Sequence, residues 1–386
     1  MARHRGRDLR RGISPALLWS VLVVVLLVTA GVLWAALGDR ADKQADQAAN
    51  KCAEGPAQVS VAVDPALTDG LKSLAQQYND THPVVRDKCI TIEVTPKDPA
   101  AVLDALKNGW DPAAMGPMPA LWIPESSVWT SQLTAANPGM VISHPRSLVT
   151  SPVGLAVATD AKAKLDGKFG WADIPNLQKA DDSLDSRGLA DWGSLRLAMP
   201  TGPESDATFL AAQAIASAVS KTDPLTAQAA GSAPVKQALA DALGGAPKTS
   251  DGGPLTGLTA LTTPTAAKAP LHAVPVTEQQ FYATLKAQPT LDISLIYPTG
   301  KAPVADFPAA ALSGNGLADA QTSGADEFLS FISTEGRLKA LEASGFRVYG
   351  DAPANLGPVA FVSPDVLQKP DDAAQNAVTT AVTAAH

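Results

Sequence analysis

An α/β fold is predicted by three features of the 386-residue chain. Short apolar, β-like runs alternate with stretches of helical spacing. The helical stretches lie where crossovers between parallel strands are needed. Hydrophobic residues reach 46% while charged residues stop at 18%, so a sizeable core can be filled. That length corresponds to two or three compact units.

The first segment differs from the rest. Residues 1–15 form a basic tail with Arg3, Arg5, Arg7, Arg10 and Arg11 against Asp8 alone. The run Ala16–Leu37 carries no charge, and at 1.5 Å per residue it is long enough for a hydrocarbon core of ~30 Å. Trp19 and Trp34 stand near its ends, where interfacial aromatics belong. The apolar core of a cleaved signal peptide is shorter and ends at small residues, so the run reads as an uncleaved anchor. The positive-inside rule puts the N-terminus in the cytoplasm and the bulk of the chain outside. Residues 38–51 read as a polar, Ala-rich stalk.

The strands and helices follow in order. Val59–Val63 is a predicted strand; Asp64 is placed to cap the next helix and Pro65 suits its first position. Leu67, Leu71, Leu74 and Tyr78 repeat at helical spacing. His82-Pro83 ends that helix, which makes a structural helix end the preferred reading of the Asn79-Asp80-Thr81 sequon, and Ile90–Val94 is the next strand. Cys52 and Cys89 precede these two strands. In an oxidising compartment, with the strands parallel neighbours, they would pair and close a loop, contributing about 3–4 kcal/mol; the alternative is two free thiols. Further on come helical Val102–Leu106, strand Ala120–Ile123, a helix start at 124–129, strands Val153–Ala158 and Leu195–Met199, helical Phe209–Val219, a loop at 244–257 and strand Leu271–Val276. Thr277-Glu278-Gln279-Gln280 fits a capping box. Strand Ile293–Tyr297 and helical segments over 325–344, stopped by Gly345, complete the pattern. Residues 351–386, rich in Pro and Ala, read as a loosely attached tail with a short helix at 372–385.

Several function classes are excluded. The chain has a net charge of −8, and it becomes more acidic still without the basic tail, so neither nucleic acid nor an anionic lipid surface is a suitable partner. Phosphate-binding glycine loops, metalloprotease and C-x-x-C motifs and the nucleophile elbow are missing from the sequence. His82, His144 and His272 have no ligand-type spacing and no nucleophile motif beside them, so they read as structural. Asp181-Asp182 and Asp371-Asp372 read as solvated loop pairs. The chain is therefore read as no enzyme, with no cofactor and no metal.

Ala325-Asp326-Glu327-Phe328-Leu329-Ser330-Phe331-Ile332-Ser333-Thr334-Glu335-Gly336-Arg337, leading to Gly345-Phe346, closely resembles the closing helices of bacterial extracellular solute-binding proteins of the two-lobed type II periplasmic class, including the molybdate-binding-like branch. Val59–Tyr78 resembles the opening strand and helix of that class. Leu295–Pro308, with Tyr297-Pro298 and Asp306-Phe307-Pro308, resembles the segment returning to the first lobe. Leu121-Trp122-Ile123-Pro124-Glu125-Ser126-Ser127-Val128-Trp129 is similar to a motif of actinobacterial membrane-anchored members, some of which carry a von Willebrand factor A domain afterwards. The resemblance implies a first lobe from 52–150 and 290–350 and a second from 151–289, joined by crossovers near Ser151–Val157 and Ile293–Pro298. A ligand then sits between the lobes, at strand C-termini.

Carried over by position, the resemblance places ligand-binding residues at Asp64 and Thr68, at Ser126 and Ser127, at Thr201 and Ser205, and at Thr277, Glu278 and Gln279. Each group marks a strand-to-helix turn with free backbone N–H groups, which oxyanion-binding members use. Here Asp64, Glu125, Glu204, Asp206 and Glu278 occupy the same turns. Two like charges 4 Å apart cost about 4 kcal/mol at an effective dielectric of ~20. A cationic or neutral solute is thus favoured over an oxyanion, unless these acids simply cap their helices and point away from the cleft. Trp110, Trp122 and Trp129 are candidates for stacking on a ligand, with burial in the core as the alternative. The implied role is solute capture, with an ABC-type transporter as a partner; the competing reading is a cell-envelope interaction or scaffold module without a small ligand.

Overall fold

The structure, a computed structural model, describes residues 52–385 except 315, 355 and 358, together with Trp19, residues 26–29 and Trp34. The described residues of the apolar run are helical and exposed; the rest of that run, the basic tail and the stalk lie outside the described residues. No helix among the described residues is long and apolar enough to cross a membrane.

The strands are β1 (Pro56–Val63), β2 (Val84–Val85), β3 (Lys88–Pro96), β4 (Leu121–Ile123), β5 (Arg146–Ser147), β6 (Ser151–Ala158), β7 (Ala273–Thr277), β8 (Ile293–Ile296), β9 (Val304–Ala305) and β10 (Pro308–Ala311). The helices used below are α1 (Thr68–Asn79), α2 (Pro99–Asn108), α3 (Ser127–Ala136), α4 (Asp206–Ser220), α5 (Ala233–Gly244), α6 (Glu278–Ala287), α7 (Asp319–Ile332) and α8 (Asp372–Ala384).

The first sheet runs β2-β3-β1-β4-β10-β5. β1 pairs in parallel with β3 from Pro56↔Cys89 to Val63↔Pro96, and with β4. Asp64 accepts from the Ala66 N–H at 2.9 Å and starts the 3-10 turn Pro65–Leu67 that leads into α1. α1 buries Leu71, Leu74, Ala75 and Tyr78, the apolar face that its spacing predicts. Asn79, at its last position, exchanges side-chain hydrogen bonds with the backbone of Ile92. α7 covers β1 and β3 closely: a Cβ on Gly324 would come within 3.1 Å of Val59 and 3.2 Å of Ile90. Gly345 ends the helical run after α7 at φ +89°, a conformation that suits glycine.

The second sheet runs β7-β6-β8, with β9 also on β6, and its named strands all pair antiparallel. β8 therefore belongs to this sheet, so residues 290–305 lie with the second lobe, whereas the expected span 290–350 puts them in the first. The predicted strand Leu195–Met199 is reduced to a single bridge, Leu197↔Ala273. Gln178 takes the Leu197 N–H at 2.8 Å, and Pro200 ends the stretch, so the ladder does not extend.

Two short connections join the sheets, residues 148–150 between β5 and β6, and Asp306-Phe307 between β9 and β10. Phe307 is fully buried, packs edge-on against Phe346 at 5.1 Å, and has φ +36°. A bulky side chain rarely takes that conformation, so packing holds local strain at the crossover.

The C-terminal segment is docked rather than loose. α8 packs on α3 of the first lobe and on α4 and α5 of the second, burying Ala374, Val378 and Val382. Ser131 donates to Asp372 at 2.7 Å, Gln375 donates to Ser131 at 3.0 Å, and Ser127 donates to Gln375 at 3.2 Å. The apolar spacing of Ala374, Val378 and Val382 contains this result; the many prolines before it conceal it.

Cys52 and Cys89 form a disulfide with Cα atoms 5.1 Å apart; the parallel register sets Cys89 opposite Pro56, and a turn in which the Gly55 N–H donates to the Cys52 carbonyl at 3.0 Å folds Cys52 back beside it. They are separated by 37 residues. Replacing both by Ser should lower the unfolding free energy by about 3–4 kcal/mol, read from urea unfolding of oxidised and variant protein; an unchanged midpoint would contradict it.

Candidate functional site at the junction of the sheets

Between the two sheets lies a cavity of ≈ 300 Å³. From the first lobe it is lined by Asp64, Pro65, Ala66 and Glu125. From the second it is lined by Glu204, Leu255 and one face of α6, including Gln279, Gln280, Ala283, Thr284 and Ala287. The end of β1 delivers Asp64 and the end of β4 delivers Glu125, so this is the strand C-terminal edge of the first sheet.

Three of the acids here are almost wholly buried: Asp64, Glu125 and Asp206 are 3%, 1% and 2% exposed. Burial pushes Asp64 up to about 8; the Ala66 N–H opposes this, while Asp206, Glu204 and Asp98 add to it. Burial, with Asp206, Asp64 and Glu204 nearby, holds Glu125 well above the usual carboxylate range. Asp206 rises to about 6 because of burial, restrained by the hydroxyl of Ser126 at 2.6 Å and the indole N–H of Trp129 at 2.8 Å. Glu204 is raised by partial burial and then by Asp98. Its backbone sits at φ +57°, and its carbonyl accepts from Gln280 Nε2 at 2.8 Å. Gln280 also accepts from the Thr277 N–H at 3.1 Å, completing the predicted capping box. One side chain thus starts α6 and pins a strained acidic residue at the cavity.

Glu278 is turned away from this group. It forms a buried ion pair with Arg347, Nε–Oε2 2.7 Å and Nη2–Oε1 2.8 Å, and accepts from the Tyr297 hydroxyl at 2.5 Å. Burial, and then Glu278 itself, keep the Tyr297 hydroxyl protonated. Arg347 also exchanges backbone bonds with Thr150 at 2.9 Å each way, and donates to the Val362 carbonyl. The pair therefore ties α6, the first crossover and the chain beyond the second sheet.

Of the residues named from sequence, Asp64 and Gln279 line the cavity. The Thr68 hydroxyl lies 3.4 Å from the Asp64 carbonyl, within its own helix turn. Ser126 reaches Asp206, so it joins the lobes directly. The Ser127 N–H donates to Asp306 at 2.7 Å and its hydroxyl to Gln375, away from the cavity. Thr201 is half-buried; Ser205 is buried and hydrogen-bonds to the carbonyls of Pro203 and Gly252. Thr277 caps α6.

None of the three tryptophans lines the cavity. Trp122 is core, Trp110 donates to the Gly116 carbonyl at 2.8 Å, and Trp129 holds Asp206. Of the acids expected to cap helices, Asp64 does so, whereas Glu278 is spent on Arg347 and Asp206 on Ser126 and Trp129. Arg347 carries no local signal in the sequence. Its partner is 69 residues away, and only the fold brings them together. His272 is buried, and burial followed by Arg196 lowers it to about 4, so it stays neutral as a structural residue against Trp192.

A family model described as "Bacterial extracellular solute-binding protein" matches residues 59–347. A protein of Mycobacterium tuberculosis (strain H37Rv), "Uncharacterized protein Rv1836c", is 36% identical over 377 residues; the match covers 96% of this chain and 54% of the relative. The counterpart from strain CDC 1551 matches equally. The chain thus spans about half the length of these curated relatives. Among solved structures, iron-bound HitA from Pseudomonas aeruginosa superposes with a TM-score of 0.56 at 13% identity, over 86% of this chain and 98% of that one. Apo ferric ion-binding protein A from Pasteurella haemolytica gives 0.56 at 12%, over 85% and 97%. At such identities the likeness shows the fold, the two-lobed type II periplasmic-binding-protein architecture.

Two outcomes follow from this geometry. Arg347→Met leaves Glu278 buried without its cation and should cost about 3–5 kcal/mol in urea unfolding; a loss under about 1 kcal/mol would show that the pair is not intact. Asp64 has a higher pKa folded than unfolded, so the native state binds its proton more tightly, and stability falls as pH rises from about 4 to about 8. Asp64→Asn keeps the capping acceptor and removes this penalty. The melting temperature of the variant should exceed that of the parent by several degrees at pH 8 and match it at pH 4; equal gains at both would contradict the assignment.

Proposed function

We propose that this chain, which belongs to the family of bacterial extracellular solute-binding proteins, captures a small cationic or neutral solute in the cavity between its two sheets. It acts by binding rather than by catalysis and presents the solute to an ABC-type transporter. The observation that carries the reading is the cavity itself: it lies where strands give way to helices, and both lobes contribute polar side chains to it. Closure about the two short crossovers would trap the solute. The buried acids support the preference against an oxyanion, because among the described residues no Lys, Arg or His pairs with them there to balance a bound anion. The charge-free run Ala16–Leu37 behind a basic tail supports a single-pass anchor that holds the binding domain outside the cytoplasm and close to its membrane partner.

A second reading is a cell-envelope interaction module without a small ligand. It is favoured by the direct ties between lobes, Ser126 and Trp129 to Asp206 and α8 across both, which hold the two halves together without any solute.

A thermal-shift screen against sugars, amino acids, amines, metal salts and oxyanions separates the two. A bound solute at 100 times its Kd adds about 2.7 kcal/mol of apparent stability. Solute capture predicts a concentration-dependent rise for at least one class. No rise across the whole panel, together with a stoichiometric envelope protein copurifying with the full chain, would overturn it in favour of the interaction module.

A further inference from the structure

The carboxyls at the junction lack a counter-charge from the chain itself. Among the described residues, no Lys, Arg or His forms an ion pair with Asp64, Glu125, Glu204 or Asp206. Arg347, a buried cation of the described residues, is committed to Glu278. The groups facing them are Asp98 beside α2, Asp306 at the second crossover, which is itself paired with Lys369 at 3.5 Å, and neutral donors: the hydroxyls of Ser126 and Thr277 and the Trp129 indole. A second observation is independent of this charge count. Glu125 is 1% exposed and lines the cavity, yet its Oε1 has no hydrogen-bond partner. A buried acceptor without a donor is costly unless something fills the place.

The rest of the lining says what kind of donor fits. Pro65, Ala66, Leu255, Ala283 and Ala287 give the same cavity an apolar wall, and Leu255 remains 45% exposed. A bare metal ion has no use for that wall, and among the described residues no group of three or more His, Cys, Asp or Glu side chains is disposed to hold one. An ammonium group carries both the missing donors and the missing charge, and its hydrocarbon body covers the apolar wall.

Resting on the solute-capture reading, we infer that the cavity takes an organic ammonium ion, with its N–H groups toward the acid-lined end formed by Glu125, Asp64 and Glu204 and its hydrocarbon part against Leu255, Ala283 and Ala287. Binding is coupled to proton release, because carboxyls held neutral in the empty site ionise when the cation arrives.

Calorimetric titration of the full chain with putrescine and with benzylamine tests this, with manganese chloride, ferric citrate, sodium molybdate and maltose as comparison probes. At least one of the two amines should bind. Its affinity should strengthen roughly tenfold or more between about pH 6 and pH 8.5, and heats in two buffers of different ionisation enthalpy should show protons released. Glu125→Gln should weaken that amine at least roughly tenfold. Glu204→Gln, at a half-buried position that leaves the core intact, should weaken it in the same direction. Binding of manganese, ferric ion, molybdate or maltose with neither amine bound would overturn the ammonium assignment while leaving solute capture standing. Amine binding that is indifferent to both substitutions would place the amine elsewhere and overturn it as well. Silence from these probes, and from the wider panel above, would remove the solute-capture reading itself.

Discussion

Burial of several carboxyl groups at one junction, most of them without a cation among the described residues to pair with, is the constraint on which the rest of this structure turns. A buried ionised carboxylate is expensive, and a protein meets that cost by neutralising the group, pairing it or hydrogen-bonding it. All three solutions occur within one region. Glu278 is paired with Arg347, Asp206 is held by Ser126 and Trp129, and Asp64 and Glu125 are kept largely protonated. The first two solutions are structural and tie elements together. The third leaves acids whose charge state depends on what enters the cavity.

The same contacts decide how the lobes relate. Asp206, at the start of α4, is the point at which the second lobe is gripped by the first. α8 lies on both lobes, so the C-terminal segment reinforces the association, and just before it Lys369 pairs with Asp306 of the second crossover at 3.5 Å. The crossovers are short, and one contains Phe307 in a conformation held by its packing against Phe346 and by backbone bonds to Glu125 and Leu148. Hinged lobes need few residues at the hinge and contacts that can be exchanged. Hydrogen bonds to one carboxylate and a docked amphipathic helix are contacts of that kind. A solute that changes the charge of neighbouring Asp64 and Glu125 acts directly on the acid that holds the lobes.

Much of the fold is legible in the sequence because it is encoded locally. Val59–Val63, Leu67 to Tyr78, and the box at Thr277 to Gln280 each carry their periodicity and caps within a dozen residues, and each forms as its pattern dictates. Leu195–Met199 has strand composition, but its outcome depends on Gln178 and Pro200, which determine whether a ladder can extend. Val378 and Val382 have helical spacing, but the surface that receives them is built from α3, α4 and α5. The turns bearing the acids are visible in sequence as strand-to-helix junctions; the direction in which each acid points is not. Asp64 and Glu278 stand at equivalent junctions, and only Arg347, bridged to Thr150 at the first crossover, turns one of them into structure and leaves the other at the cavity.

The protonation of the empty site is the point on which these conclusions converge, and an NMR titration of the side-chain carboxyl carbons in ligand-free full chain reads it directly. One aspartate should titrate near pH 8, and its signal should vanish from the Asp64→Asn variant. If every carboxyl instead titrates in the ordinary range of about 3–5, the acids at the junction are charged and compensated, and the uncompensated cavity does not exist.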